Sequence, residues 1–172
     1  MEETFIAYLQ TPTLDNFLAL RRTVMATPGF NPHSRALDGI PALLEANAFE
    51  RAVQVTLDGL WPDYFLSPGA HLNLGFAYHQ LGQQREAHME RMIYDLLLRG
   101  IEHTGDGSAA KPLLVSRLSD EYDYLGSRRL TFTGQRLVEI EGHPFDVLSV
   151  AEGEDIWFDI ADLQGFLNLG DL

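Results

Sequence analysis

Apolar and polar residues along this chain follow two different periods. Up to about residue 125 the apolar positions recur every three to four residues, the spacing of an amphipathic helix. Beyond residue 128 they alternate or gather in short β-branched and aromatic runs, the spacing of strands. The first period predicts helices over 2–26, broken at Thr11-Pro12 and restarted by Thr13 as a cap, then over 37–47 or 41–47, over Phe49 to Leu60 with Trp61-Pro62 closing it, and from Ser67-Pro68 to Leu81. A long helix follows from Gln83 to about Gly100, and another from Lys111 to Leu125. The second period predicts short strands at 130–132, 136–140, 145–150 and 155–160, separated by Gly134, Gly142 and Gly153, with a short helix over 161–167. Helices first and strands second is an α+β layout: a helical part over 1–127 and a small antiparallel meander with a terminal helix over 128–172, in one domain.

The stretch LGFAYHQLGQQREA, Leu74 to Ala87, is the most specific local pattern. Leu74, Tyr78 and Leu81 form one apolar stripe, Gly75 is small where a neighbouring helix passes, and Gly82 sits where the helix must stop. This is the pattern of a tetratricopeptide-type helix–turn–helix unit. A second copy is visible: LEANAFERA over 44–52 aligns with HQLGQQREA over 79–87, which places Asn47 and Gly82 at the same turn position. The offset between Ala52 and Ala87 is 35 residues, close to the roughly 34 of such repeats. One and a half units are too few for a free-standing solenoid, so other elements must cover the ends.

Composition narrows the function classes. Twelve basic against twenty-five acidic residues give a formal net charge of −13, which argues against nucleic acid and against anionic membrane surfaces as partners. There is no cysteine, so disulfides, thiolate metal sites and cysteine nucleophiles are excluded. The opening MEETF is acidic, and no apolar run approaches the roughly 20 residues of a membrane span, so a cytoplasmic location is expected.

Candidate chemistry falls in two places. The first is the groove of the helical unit, where His71 and Asn73 are expected to face a ligand, with Tyr64 in the aromatic cluster Trp61, Tyr64 and Phe65 as a partner anchor. The 68–81 helix carries no lysine or arginine, so a groove ligand is expected to be a neutral or basic protein or peptide segment. The second is His103, Asp106, Glu121 and Asp123. If the helix over 111–125 packs antiparallel to its predecessor, Glu121 and Asp123 lie roughly 20 Å from the turn that holds Asp106, too far for one cluster. Asp106 between Gly105 and Gly107 then reads as a turn or cap residue. No HExxH, no G-x-S-x-G and no Walker pattern occurs, and His71 and His79, two turns apart, are too distant to share a metal. No cofactor and no metal is expected. The first reading is therefore a non-catalytic binding module; the alternative is a small hydrolase or ligand-binding enzyme with carboxylates near Asp106 or Glu121 and Asp123. A homodimer through an exposed strand at 155–160 is a further expectation.

Four segments taken together carry a family resemblance: Phe30-Asn31-Pro32, the LGFAYHQLGQQREA core, the Gly105-Asp106-Gly107 turn followed by Glu121-Tyr122-Asp123-Tyr124-Leu125, and the closing FDVLSV and IWFDI. In their order and spacing the chain resembles an uncharacterised bacterial family, domain of unknown function 4919, over about residues 30–158. The resemblance implies a tetratricopeptide-like helical centre with a short C-terminal sheet and supplies no reaction. The family pattern has a histidine where this chain has Asp120.

Overall fold

The computed structural model describes residues 1–166. The chain folds as α+β, with helices preceding a small sheet. Helices α1 (Glu2–Gln10) and α2 (Leu14–Met25) meet at the expected break, where the Thr13 hydroxyl accepts the Asn16 N–H at 3.4 Å. Helices α3 (Ile40–Glu45) and α4 (Phe49–Gly59) form one hairpin; α5 (Pro68–Gln80) and α6 (Gln84–Thr104) form a second. A turn over Leu60–Tyr64 links the two hairpins; Trp61 is extended within it, at φ −98° and ψ 135°, so the helix breaks at the stop the sequence predicts at Trp61-Pro62.

The two hairpin turns are built alike. Asn47 and Gly82 both take the left-handed conformation, at φ 55° and 76°. Asn47 N–H donates to Leu44 O and Ala48 N–H to Leu43 O; thirty-five positions later Gly82 N–H donates to His79 O and Gln83 N–H to Tyr78 O. Each pair of bonds satisfies the last carbonyls of the preceding helix and reverses the chain within three residues. The two turns thus share one pattern of backbone hydrogen bonding.

Two elements depart from expectation. Helix α6 runs through Gly100 to Thr104, because Gly100 marks a close approach and not an end: a Cβ there would overlap the ring of Phe17 on α2. The segment 111–118 is not helical. Leu113–Leu114 forms a short strand, β1, and the next helix, α7, covers Ser119–Ser127. Consecutive apolar residues at 113–115 are the mark of a strand buried on both faces, which helical periodicity cannot separate from a buried helix. Glu121 and Asp123 consequently sit in the first two turns of α7, not at its end, and the 20 Å separation expected from a long helix does not apply.

The runs at 130–132 and 136–140 join into one strand, β2 (Phe132–Ile140), with a register irregularity at Phe132/Gly134. It pairs antiparallel with β3 (His143–Val150), and β3 with β4 (Ile156–Asp159), giving the expected meander. β1 adds to β4 in parallel, so the sheet is mixed with order β1-β4-β3-β2. This overturns the expectation that 155–160 is an exposed edge: β1 pairs with Phe158 and Asp159, and Gly107 O accepts the Trp157 N–H at 2.8 Å. The edge strands are β1, which is only 2 residues long, and β2, which carries Arg136 and Glu139, charges that discourage edge pairing. Helix α8 (Ala161–Gln164) closes the described chain; Leu167, the expected end of that helix, lies outside the described residues.

One core joins the helical part to the sheet. Phe17, Leu20 and Val24 of α2, Leu97 and Ile101 of α6, Leu113, Leu125, Leu148 and Phe158 are all buried in a single cluster. The N-terminal helices pack on α6, where the Tyr8 hydroxyl donates to Leu96 O at 2.5 Å. A smaller cluster of Leu37, Ile40, Tyr64 and Ala70 holds the first hairpin against α5. Among the described residues no helix is long and apolar enough to cross a membrane.

The close packing at Gly100 is testable. Gly100→Ala is expected to destabilise the protein by about 1–3 kcal/mol, because overpacking against Phe17 outweighs the helix propensity of alanine. Urea denaturation measures this, and adding Phe17→Leu is expected to recover part of the loss. A variant as stable as the parent would mean that the two helices are not in contact there.

Candidate functional site

Helix α7 begins in a knot of charged side chains that the sequence does not announce. Arg117, just before the helix, is almost entirely buried, and its guanidinium lies 3.8 Å over the ring of Tyr64. It donates to Ser34 O at 2.6 Å, Asn31 O at 3.1 Å and Asp63 O at 3.3 Å. The Tyr64 hydroxyl donates to the same Ser34 carbonyl at 2.6 Å. One cation thereby fixes the 31–38 loop and the Leu60–Tyr64 turn against α7. Asp120 closes the knot from the helix side: its Oδ2 accepts the N–H groups of Ser116 and Arg117 at 3.2 and 3.0 Å.

Asp123, one turn further along α7, reaches across to the second hairpin. Its Oδ2 accepts the Gly69 N–H at 2.7 Å, at the start of α5. Ser67 stands at the N-cap position of this helix, but its side chain makes no cap bond, and the cap comes instead from a carboxylate 54 residues away. A negative group at that end suits the helix dipole. Gly69 is required by the approach, since a Cβ would lie 2.5 Å from Asp123 Oδ1.

Around these groups lies a cleft of about 200 Å³ between α3, α4, α5 and α7. Leu37, Ile40, Pro41 and Ala70 supply an apolar wall; Asp38, Asn73, Ser119 and Asp123 supply polar groups. The residue nearest the N-terminus that lines it is Leu37, so α1 and α2 do not cover it. Asp38 is exposed and pairs with Arg35 at 2.6 Å.

The acidic groups of α7 are shifted toward their neutral forms. Burial, the negative charge of Asp123 and a lesser opposing pull from Arg117 leave Asp120 pushed up to about 8. Burial chiefly, with neighbouring Asp146, pushes Glu121 up to about 9. Asp123 is pushed up to about 6 by burial, opposed by the Gly69 N–H and by Arg117. Of these, Asp123 is the carboxyl that lines the cleft and is charged near neutrality.

The residues singled out from sequence therefore separate. Tyr64, Asn73 and Asp123 line the cleft together, although Tyr64 is a buried wall and not an exposed anchor. His71 turns away: it is buried, with Nδ1 2.6 Å from Glu90 Oε2 and Nε2 3.0 Å from Phe65 O, and it joins α5 to α6. Its position on the helix was legible; its partner on α6 was not. His103 is exposed at the end of α6. Asp106 is exposed in its turn, where Oδ1 accepts the Ser108 N–H at 3.0 Å; the Ser108 hydroxyl first and this N–H second hold its carboxyl below the usual range. Glu121 is buried against β3. His103, Asp106 and Glu121 do not line the cleft with Asp123. Among the described residues no group of three or more histidine or acidic side chains is placed to hold a metal ion. The functional residues missed from sequence are Arg117 and Asp38; an arginine beside a serine-rich helix start gives no local signal of burial.

Comparison with protein-family models, curated proteins and solved structures returns no match for this chain.

The Asp123 cap links the cleft to stability. Asp123→Ala is expected to cost about 1 kcal/mol, as for loss of an N-cap, and Asp123→Asn less, since the amide oxygen still accepts. Gly69→Ala should cost a similar amount by expelling the carboxylate. Because both break one contact, the double variant should be less destabilised than the sum. Additive losses in urea denaturation would show the two residues to be uncoupled.

Proposed function

We propose that this chain is a non-catalytic binding module whose cleft between α3, α5 and α7 takes a short neutral or basic segment of a protein partner. The observation that carries this reading is the division of charge around the cleft. Arg117, its one arginine, directs its two terminal nitrogens to three backbone carbonyls. Asp38, which also pairs with the exposed Arg35, and Asp123, which also accepts the Gly69 N–H, are the carboxylates beside the apolar wall of Leu37, Ile40, Pro41 and Ala70. An apolar wall with a few placed polar groups is the usual make-up of a recognition pocket. The amide of Asn73 adds a donor and an acceptor suited to a peptide backbone. The paired turns at Asn47 and Gly82 support the resemblance to tetratricopeptide-like scaffolds, which present peptide grooves from stacked helical hairpins.

A defined probe tests this. An acetylated and amidated Gly-Ala-Arg-Ala-Gly peptide is expected to bind, and the same peptide with glutamate in place of arginine is not. Titration calorimetry with Asn73→Ala and Asp38→Asn should each weaken binding roughly threefold to tenfold. Equal binding of both peptides, or indifference to both substitutions, would remove the cleft from consideration.

A further inference from the structure

The inner face of α7 carries a second acidic feature, outside the cleft. Glu121 is fully buried and Asp146, on β3, nearly so. Their carboxyl groups lie within hydrogen-bonding reach of each other. If both are ionised they are acceptors facing acceptors, and three buried oxygens have no partner: Oε1 and Oε2 of Glu121 and Oδ1 of Asp146. The fourth, Asp146 Oδ2, accepts from Gln135 Nε2 on β2, and the Gln135 oxygen accepts from the Tyr122 hydroxyl at 2.6 Å. Buried polar atoms are almost always paired, so three orphans in one place require an account. A single proton placed between the two carboxyls pairs two of the three, one from each residue, turning one facing acceptor into a donor.

We propose that Glu121 and Asp146 share one proton, and that this carboxyl–carboxylate pair is the latch that holds α7, with the cleft wall it carries, against the sheet. The neighbours favour retention of the proton. From β3 the facing group is Asp146 itself; from β2 it is the neutral Gln135 amide; from α7 they are Asp120 and Tyr122, both acidic groups. Arg117 is directed to Asp120, Asp123 and the backbone carbonyls beyond them, and the α5 groups Ser67 and Gly69 meet Asp120 and Asp123, not the pair. Loss of the proton leaves two adjacent buried anions without a cation. Helix α7 must then shift or admit water, and Ser119 and Asp123 move with it.

The direction in pH follows. Glu121 is held near 9 in the folded chain against about 4.3 when unfolded. Its contribution to stability is complete below about pH 4 and is lost as pH rises toward 9. Asp120 acts in the same direction and completes its loss near 8. The melting temperature is therefore expected to fall between pH 5 and pH 9.5 by on the order of 5 °C or more.

Three variants and two readouts decide the matter. In Glu121→Gln the amide donates to Asp146 without a shared proton, so the melting temperature should change less with pH, and the protonated-carboxyl infrared band at pH 7 should lose intensity. Asp146→Asn makes the same exchange from the other side and serves if the first variant fails to fold. Asp120→Asn should leave the band of the pair in place. A Glu121→Gln variant with unaltered band and unaltered pH slope would overturn the proposal. A parent whose stability falls on adding EDTA would overturn it too, by assigning the orphan oxygens to a bound cation. The effect on the cleft rests on the binding reading above. Between pH 7 and 9, where Asp123 is already ionised, the arginine peptide should bind the parent more weakly as pH rises and bind Glu121→Gln evenly. A peptide that binds neither protein refutes the cleft reading and leaves the latch to be judged by its melting and infrared readouts.

Discussion

The guanidinium of Arg117 is the contact on which the arrangement of this molecule hangs. It is a buried cation with no carboxylate directly bonded to it, held instead by one aromatic face and, through its two terminal nitrogens, by three backbone carbonyls. Such a group is costly to bury unless its charge is met by placed acceptors, and here it shares the Ser34 carbonyl with the Tyr64 hydroxyl and the Asn31 carbonyl with the Ser34 N–H. The carbonyls belong to the 31–34 loop and to the Leu60–Tyr64 turn before α5, two irregular segments. Arg117 therefore converts two loops into walls. Without it the first hairpin would have the small Leu37, Ile40, Tyr64 and Ala70 cluster to hold it.

The same few residues set the position of the second hairpin and of the sheet. Asp120 fixes the entry to α7, Asp123 caps α5, and Glu121 faces Asp146 on β3. Successive residues of one helix point in different directions, so a single turn of α7 touches the loop, the hairpin and the sheet at once. That concentration explains why acidic side chains are tolerated here. Each acts as an acceptor for a specific N–H or proton, and burial raises each toward its neutral form where no donor is at hand.

Much of the fold was legible in the sequence because local rules governed it. Helix positions followed apolar spacing, and the turns at Asn47 and Gly82 followed from residues that accept a left-handed backbone. The order of helices then strands was also local. What was not legible depended on partners distant in the chain. The run at 113–115 has the composition of either a strand or a helix, and the open side of β4 decides in favour of the strand. Glycine at position 100 reads as a helix end until Phe17 is placed against it. Tyr64, Asn73 and Asp123 were found as candidates, yet Tyr64 serves as a wall under Arg117, and His71 is consumed by Glu90. Nothing in the order of residues marks Asp120 and Glu121 as buried, because desolvation is a property of the assembled core.

A cleft whose walls depend on buried carboxyls has a built-in sensitivity that an apolar one lacks. Apolar contacts between α7 and the sheet, such as Tyr124 on Phe158, do not change with protons. The Glu121–Asp146 contact does, and it lies on the same helix as Asp123. Energy lost at the sheet side of α7 must therefore appear at the cleft side, unless the helix is held by its apolar face alone. Leu125 and Tyr124 supply that face over little more than one turn, while Arg117, Asp120 and Asp123 hold the other end. A nine-residue helix fastened by polar bonds at its start and by a proton at its middle is short enough that both fastenings matter to its position.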